Sequence, residues 1–101
     1  MKLPFVSIIV PTLNEEHYIE KTLKSAINQN YKGKYEIIVA DGNSGDNTVN
    51  IAKNYTDNII VTKKRGIARG RNAGASIASG GIFLFCDADT MLMPDTVHEL
   101  V

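Results

Sequence analysis

Apolar and polar positions fall in blocks along this chain, and the blocks alternate in kind. Phe5-Val6-Ser7-Ile8-Ile9-Val10 is short, β-branched and almost wholly apolar. Such a run predicts a strand buried on both faces, as in a parallel sheet. Pro11 ends it, and Asn14-Glu15-Glu16 supply acids suited to the positive end of a helix. Ile19, Leu23 and Ile27 then recur at helical spacing, with Glu20, Lys21 and Lys24 between them. Asn30 and Gly33 mark the exit. Tyr35 to Ala40 reads as a second buried strand, and Asp41 to Asp46 is dense in turn residues. A short helix is predicted from Asn47 to Tyr55, with Val49 and Ala52 facing inward. A third strand runs from Asn58 to Thr62. A helix follows from Gly66 to Ser79, broken by Gly80-Gly81. Ile82 to Cys86 forms a fourth strand, and Pro94 fits the first turn of a last helix reaching Val101.

The order is β-α-β-α-β-α-β-α. Alternation of this kind predicts an α/β fold with parallel strands and right-handed crossovers. In open sheets of that type, ligands bind beyond the carboxyl ends of the strands. Polar clusters stand at those ends: Pro11-Thr12-Leu13-Asn14-Glu15, Asp41-Gly42-Asn43-Ser44, Lys63-Lys64-Arg65 and Asp87-Ala88-Asp89.

Composition narrows the class. With 101 residues, 44% hydrophobic and 22% charged, the chain is expected to fold as one domain over residues 1–101. A lone cysteine, Cys86, excludes an internal disulfide framework and a Cys-based zinc site, and favours a reducing, cytoplasmic location. No apolar run approaches the roughly 20 residues that cross a bilayer, and Met1-Lys2-Leu3-Pro4 lacks the long apolar segment of a signal peptide. The net charge of zero hides an uneven distribution. No acid occurs from Asn58 to Cys86, and Lys63, Lys64, Arg65, Arg69 and Arg71 fall within nine positions. That block serves either an anionic partner or solubility alone.

Asp87-Ala88-Asp89 carries the sharpest chemistry. On an extended backbone, residues two apart point to one side. Two carboxylates so placed suit a hard divalent cation such as Mg²⁺ or Mn²⁺, with waters and a diphosphate as further ligands. The plain alternative is a capped turn ahead of Pro94. Asp41 holds the same place after the second strand. It either accepts hydrogen bonds from a nucleoside or only closes a turn, with Ser44 and Asp46 capping the next helix. Gly70 and Gly74 each cost about 1 kcal/mol in a helix interior. With Ala73, Ala75 and Ala78 they form a small-residue surface, explained by close packing on the sheet and, compatibly, by the need to hold Arg65, Arg69 and Arg71 near phosphates at the helix start. His17 and His98 have no companions at metal-ligand spacing and read as surface residues. Met91 and Met93 read as core or interface filler, and Cys86 as a buried, inert thiol.

Taken in order, four segments carry a resemblance: Val6 to Glu16, Glu36 to Thr48, Gly66 to Gly74, and Phe83-Leu84-Phe85-Cys86-Asp87-Ala88-Asp89-Thr90. Together they resemble the family 2 glycosyltransferases of the GT-A fold, over nearly the whole chain. The resemblance implies a Rossmann-like α/β/α sandwich with strand order 3-2-1-4 and a nucleotide-diphosphate-sugar site. It implies that Pro11, Thr12, Leu13, Asn14, Glu15 and Asp41 hold the nucleoside. Arg71-Asn72-Ala73-Gly74 would border the diphosphate, joined by Arg65 from the cationic stretch. Asp89 would bind the metal, and Asp87, with Ala88 beside it, would lie near the ribose or the metal. The donor would be UDP- or GDP-linked, and nucleic acid is not among the partners. Asn43-Ser44-Gly45-Asp46-Asn47, Gly70 and Cys86 depart from the family's usual residues without removing an implied ligand.

The resemblance also implies an acceptor side of roughly another hundred residues, including the general base of inverting members. The chain is therefore expected to be the nucleotide-binding half of a transferase, cut within its last helix, with its catalytic base beyond residue 101. Membrane association is expected only through such further regions. The fourth strand, left as an edge, is expected to pair with another chain. Two other readings compete. A nucleotidyltransferase would show a Gly-rich loop after the first strand, and Pro11 to Glu16 has no glycine. A non-catalytic nucleotide-binding or interaction module of the same fold would keep these motifs. A dehydrogenase lacks its Gly-x-Gly-x-x-Gly fingerprint here.

Overall fold

The computed structural model describes residues 2–101. Its elements are β1 (Val6–Thr12), α1 (Ile19–Ile27), β2 (Tyr35–Asp41), α2 (Thr48–Ala52), β3 (Ile59–Val61), α3 (Ile67–Ile77), β4 (Ile82–Phe85) and α4 (Thr96–Leu100). All strand pairs are parallel, and the sheet order is β3-β2-β1-β4. The expected α/β fold and strand order are the observed ones. β1 lies at the centre, paired along its whole length with β2 and from Val6 to Ile9 with β4.

Alternation along β1 divides the core into two layers. Val6, Ile8 and Val10 face Ile19, Leu23, Ala52 and Val97, so α1, α2 and α4 share one side of the sheet. Ile9, Ile38 and Ala40 face the other side, which α3 covers. That side is thin because α3 rides close. A Cβ on Gly70 would stand 2.6 Å from the Ala40 carbonyl oxygen, and one on Gly74 would stand 2.8 Å from both Ala40 Cβ and Ile9 Cγ2. Close packing therefore accounts for both glycines.

Several boundaries differ from the sequence reading. Pro11 lies inside β1, not at its end, opposite Ala40. Alternate residues of a parallel strand bond to opposite neighbours, and Ile9 faces β4, its carbonyl accepting the Cys86 N–H at 2.9 Å. Pro11 faces the same way, past the last β4 pairing, so its missing N–H leaves no bond unmade. Ile27 is exposed, and the buried face of α1 is Ile19, Thr22, Leu23 and Ala26. Pro94 precedes α4 instead of entering its first turn. Met91 and Met93 are 64% and 72% exposed, so neither is core filler. Among the described residues no helix is long and apolar enough to cross a membrane.

Candidate functional site at the carboxyl edge of the sheet

β1 and β2 end side by side, and their following loops are tied together by reciprocal hydrogen bonds. The Asn14 N–H donates to Ser44 Oγ at 2.8 Å, Glu15 N–H to Thr48 Oγ1 at 2.8 Å, and Glu16 N–H to Asp46 Oδ2 at 3.3 Å. Two bonds run the other way: Gly45 N–H to Asn14 Oδ1 at 2.8 Å and Asn47 N–H to Glu16 Oε2 at 3.2 Å. Asn14 holds φ 56° to do this, a left-handed conformation that asparagine tolerates better than most residues.

Asp41 closes the same junction from inside. It is fully buried, and its carboxylate accepts from Thr12 Oγ1 and Ser44 Oγ at 2.5 Å each and from the Ser44 N–H at 2.7 Å. Of its two sequence-level roles, the observed geometry is the closed turn. Ser44 serves Asp41 and does not cap α2, whose N-cap is Asn47 without a side-chain bond. Asp46 accepts from the Thr48 N–H at 3.0 Å and from Thr48 Oγ1 at 2.5 Å. Burial pushes the Asp46 carboxyl up, but these bonds and the Glu16 N–H outweigh it and hold the carboxyl below its ordinary value. Pro11 and Thr12 are buried, Leu13 and Glu15 half-buried, and Asn14 exposed.

Asp87, Ala88 and Asp89 follow β4 along the same edge. Ala88 turns inward and is buried, while Asp87 and Asp89 on either side are exposed. The turn closes behind them, with the Thr90 N–H donating to the Asp87 carbonyl at 3.0 Å. The Glu15 carboxyl is raised above its ordinary value, first by burial and then by the negative charges of Asp89, Asp46 and Asp87. The ends of β1 and β4 thus carry Glu15 and the Asp pair along the same edge of the sheet. Cys86 is buried, and burial, reinforced by Asp87 and Asp89, pushes its thiol up to about 11, which makes it inert.

The cations line the other side. Lys63, Lys64, Arg65, Arg69 and Arg71 are all exposed. The Arg71 guanidinium lies over the Phe85 ring at 5.1 Å, next to the strand that delivers Asp87. The α3 start is anchored to the loop after β2 by the Gly66 N–H on the Gly42 carbonyl, 3.0 Å away. The ion pair formed among the described residues is Lys24 with Glu20 on α1, so these cations and the Asp87–Asp89 pair form no salt bridge. No group of three or more His, Cys, Asp or Glu side chains among the described residues is gathered to enclose a metal. Two exposed carboxylates are oxygen donors of the kind that take a hard cation whose other ligands are waters and phosphate oxygens, so the donor chemistry fits such an ion.

Sequence reasoning missed one set of residues here. Thr22, Ser25 and Gln29, on one face of α1 and just beyond it, hold the segment after β4. Their spacing and their polarity beside an apolar stripe were the available signal.

An open parallel sheet with polar loops, free carboxylates and free cations at its carboxyl edge defines an α/β protein of the nucleotide-binding type. The glycosyl transferase family 2 profile matches residues 7–101, and the chain belongs to that family. It is 40% identical over 94 residues to glycosyltransferase AglE of Haloferax volcanii, covering 86% of this chain and 31% of that protein. It is 35% identical over 106 residues to the Campylobacter jejuni GalNAc(5)-diNAcBac-PP-undecaprenol beta-1,3-glucosyltransferase, covering 98% of this chain and 34% of that one. The chain therefore spans about a third of the length of these curated relatives. Among solved structures, S. aureus TarS in complex with UDP-GlcNAc superposes with TM-score 0.83 at 33% identity, over 99% of this chain and 30% of that one. The mannosyltransferase PcManGT from Pyrobaculum calidifontis, in complex with GDP-Man and Mn2+, superposes with TM-score 0.85 at 31% identity, over 93% and 30%.

Proposed function

We propose that this chain is the donor-binding part of a metal-dependent glycosyltransferase, taking a UDP- or GDP-linked sugar at the carboxyl edge of its sheet. The observation that carries this reading is the exposed pair Asp87 and Asp89 just past β4, on the same edge of the sheet as Glu15, with Arg65 and Arg71 exposed on the neighbouring loop and helix. Exposed carboxylates two residues apart offer the oxygen donors that a hard divalent cation takes. Complexes of similar proteins with UDP-GlcNAc, and with GDP-Man and Mn2+, support the choice of ligands.

In this reading Asp89, with Asp87, holds the divalent metal. The ion, when bound, neutralises charge on the leaving diphosphate. Arg65 and Arg71 face the same diphosphate with guanidinium groups, which bind phosphate oxygens in a fixed fork. Leu13, Asn14 and Glu15 wall the nucleoside. Pro11, Thr12 and Asp41 act beneath that wall, because they are buried and Asp41 already accepts three hydrogen bonds. Ala88 sets the spacing of the aspartates from below. The base that activates the acceptor lies outside residues 1–101, and a cytoplasmic site of action accords with the single buried thiol.

The exposed edge at β4 supports self-association of this chain. Ile82, Phe83 and Phe85 are 38%, 45% and 40% exposed along an edge strand that pairs only with β1.

Calorimetric titration with UDP and with GDP, each with and without Mn²⁺, tests the donor site. Metal-dependent binding of one nucleotide, lost in Asp89→Ala, is the expected result. Metal-independent binding unchanged in Asp89→Ala would overturn the assignment of the Asp pair.

A further inference from the structure

Helix α1 presents hydroxyls to the segment carrying Asp87 and Asp89. Thr22 is 1% exposed, and its hydroxyl donates to the Ala88 carbonyl at 2.7 Å. The carbonyl of its own helix, at Tyr18, is more distant at 3.4 Å. One turn on, Ser25 Oγ accepts the Leu92 N–H at 2.9 Å. Gln29 then donates Nε2 to the Met93 carbonyl at 2.7 Å and accepts the Val97 N–H at 3.0 Å. Thr22 and Ser25 lie three positions apart on one face of α1, Gln29 follows just beyond its end, and all three grip the same segment.

Thr22 acts at the most consequential point of that grip. The Ala88 carbonyl belongs to the peptide between Ala88 and Asp89, so the bond fixes the plane that separates the two aspartates. Ala88 is buried, so no water replaces the hydroxyl there without cost. Threonine also interrupts the apolar face between Ile19, Leu23 and Ala26, where an aliphatic residue would pack as well. We propose that Thr22 is a positioning residue for the donor site, its hydroxyl setting the direction in which Asp87 and Asp89 present their carboxylates. This rests on the reading of the Asp pair as metal ligands.

The test is an electron paramagnetic resonance titration of the 101-residue chain with Mn²⁺ in the presence of UDP or GDP. It compares Thr22→Val, Thr22→Ser, Thr22→Ala and Asp89→Ala with the parent. Valine keeps the shape and removes the hydroxyl. It is expected to weaken Mn²⁺ binding on the order of three- to tenfold, the scale of one buried hydrogen bond, and to alter the bound-ion spectrum. Serine restores both affinity and spectrum. Native affinity in folded Thr22→Val, or equal losses in the valine and serine variants, would overturn the positioning role. Should Thr22→Val fail to fold, Thr22→Ala takes its place: Mn²⁺ binding weaker than in Thr22→Ser supports the role, and equal binding in the two variants removes it. Asp89→Ala that binds Mn²⁺ like the parent would instead sink the metal reading itself, whatever Thr22 does.

Discussion

Single residues at the carboxyl edge act through the neighbours the fold gives them. Glu15 is the clearest case. Its pKa is raised in the folded chain above the ordinary 4.5, so the folded state binds its proton more tightly than the unfolded state does. The stability this provides is present below 4.5 and is lost as pH rises through the raised value. Asp46 works in the opposite sense. Its lowered pKa adds stability above the ordinary 3.8 that is lost as pH falls through the lowered value. Glu15→Gln is therefore expected to flatten the decline in stability above pH 4.5 while leaving the acid limb in place. Urea midpoints from pH 3 to 7 read both limbs, a range set by ordinary carboxylate values of roughly 4. An unchanged decline in the variant would show that burial and the neighbouring acids do not raise the Glu15 carboxyl. The sequence marked Glu15 as a site residue but held no sign of this coupling, because Asp89 lies 74 positions away along the chain.

At the scale of elements, the contact of α3 with β2 carries the sharpest expectation. Alanine normally favours a helix over glycine by about 1 kcal/mol. At Gly70 the added methyl would meet the Ala40 carbonyl at 2.6 Å, a main-chain atom fixed within the sheet. Gly70→Ala is expected to lower stability by about 1–3 kcal/mol, the usual cost of overpacking, read as a lower urea midpoint. A raised midpoint would mean that α3 lifts freely off the sheet. The small-residue pattern of α3 was legible in the chain because glycine in a helix interior needs a reason. Its reason was not, because close packing and phosphate proximity call for the same small residues, and only the distance to Ala40 shows that the packing is close enough to require them. The extension of β1 through Pro11 was hidden for a related cause. Proline reads as a strand end unless the missing N–H is known to face an empty side.

At the scale of the whole molecule, the β4 edge is the more apolar of the sheet's two open edges. β2 and β1 are covered on both faces, whereas β4 leaves Ile82, Phe83 and Phe85 open, and beside it Leu100 and Val101 are 65% and 44% exposed. An apolar sheet edge is a template for a further strand. Sedimentation velocity across a concentration series is expected to show the chain passing from monomer to a larger species. Phe83→Lys, which places a charge on the edge, is expected to shift that equilibrium back toward monomer. A single monomeric species of the parent at every concentration would remove the proposed self-association.

Sequence alone determined the alternation of strands and helices, the parallel sheet, and the four polar clusters at the strand ends. Each depends on local periodicity or on turn residues at short spacing, which a chain displays without folding. Its ordered motifs also carried the resemblance to family 2 glycosyltransferases, to which the chain belongs. The tertiary structure decided which side chains spend their polarity inside the protein. Asp41 is sealed by Thr12 and Ser44, 29 and three positions away, and Thr22 reaches Ala88 across 66 positions. Hydrogen bonds of that reach depend on how β1, β2 and α1 lie against one another. That arrangement is set by burial of the shared apolar core, which no single segment of the chain encodes.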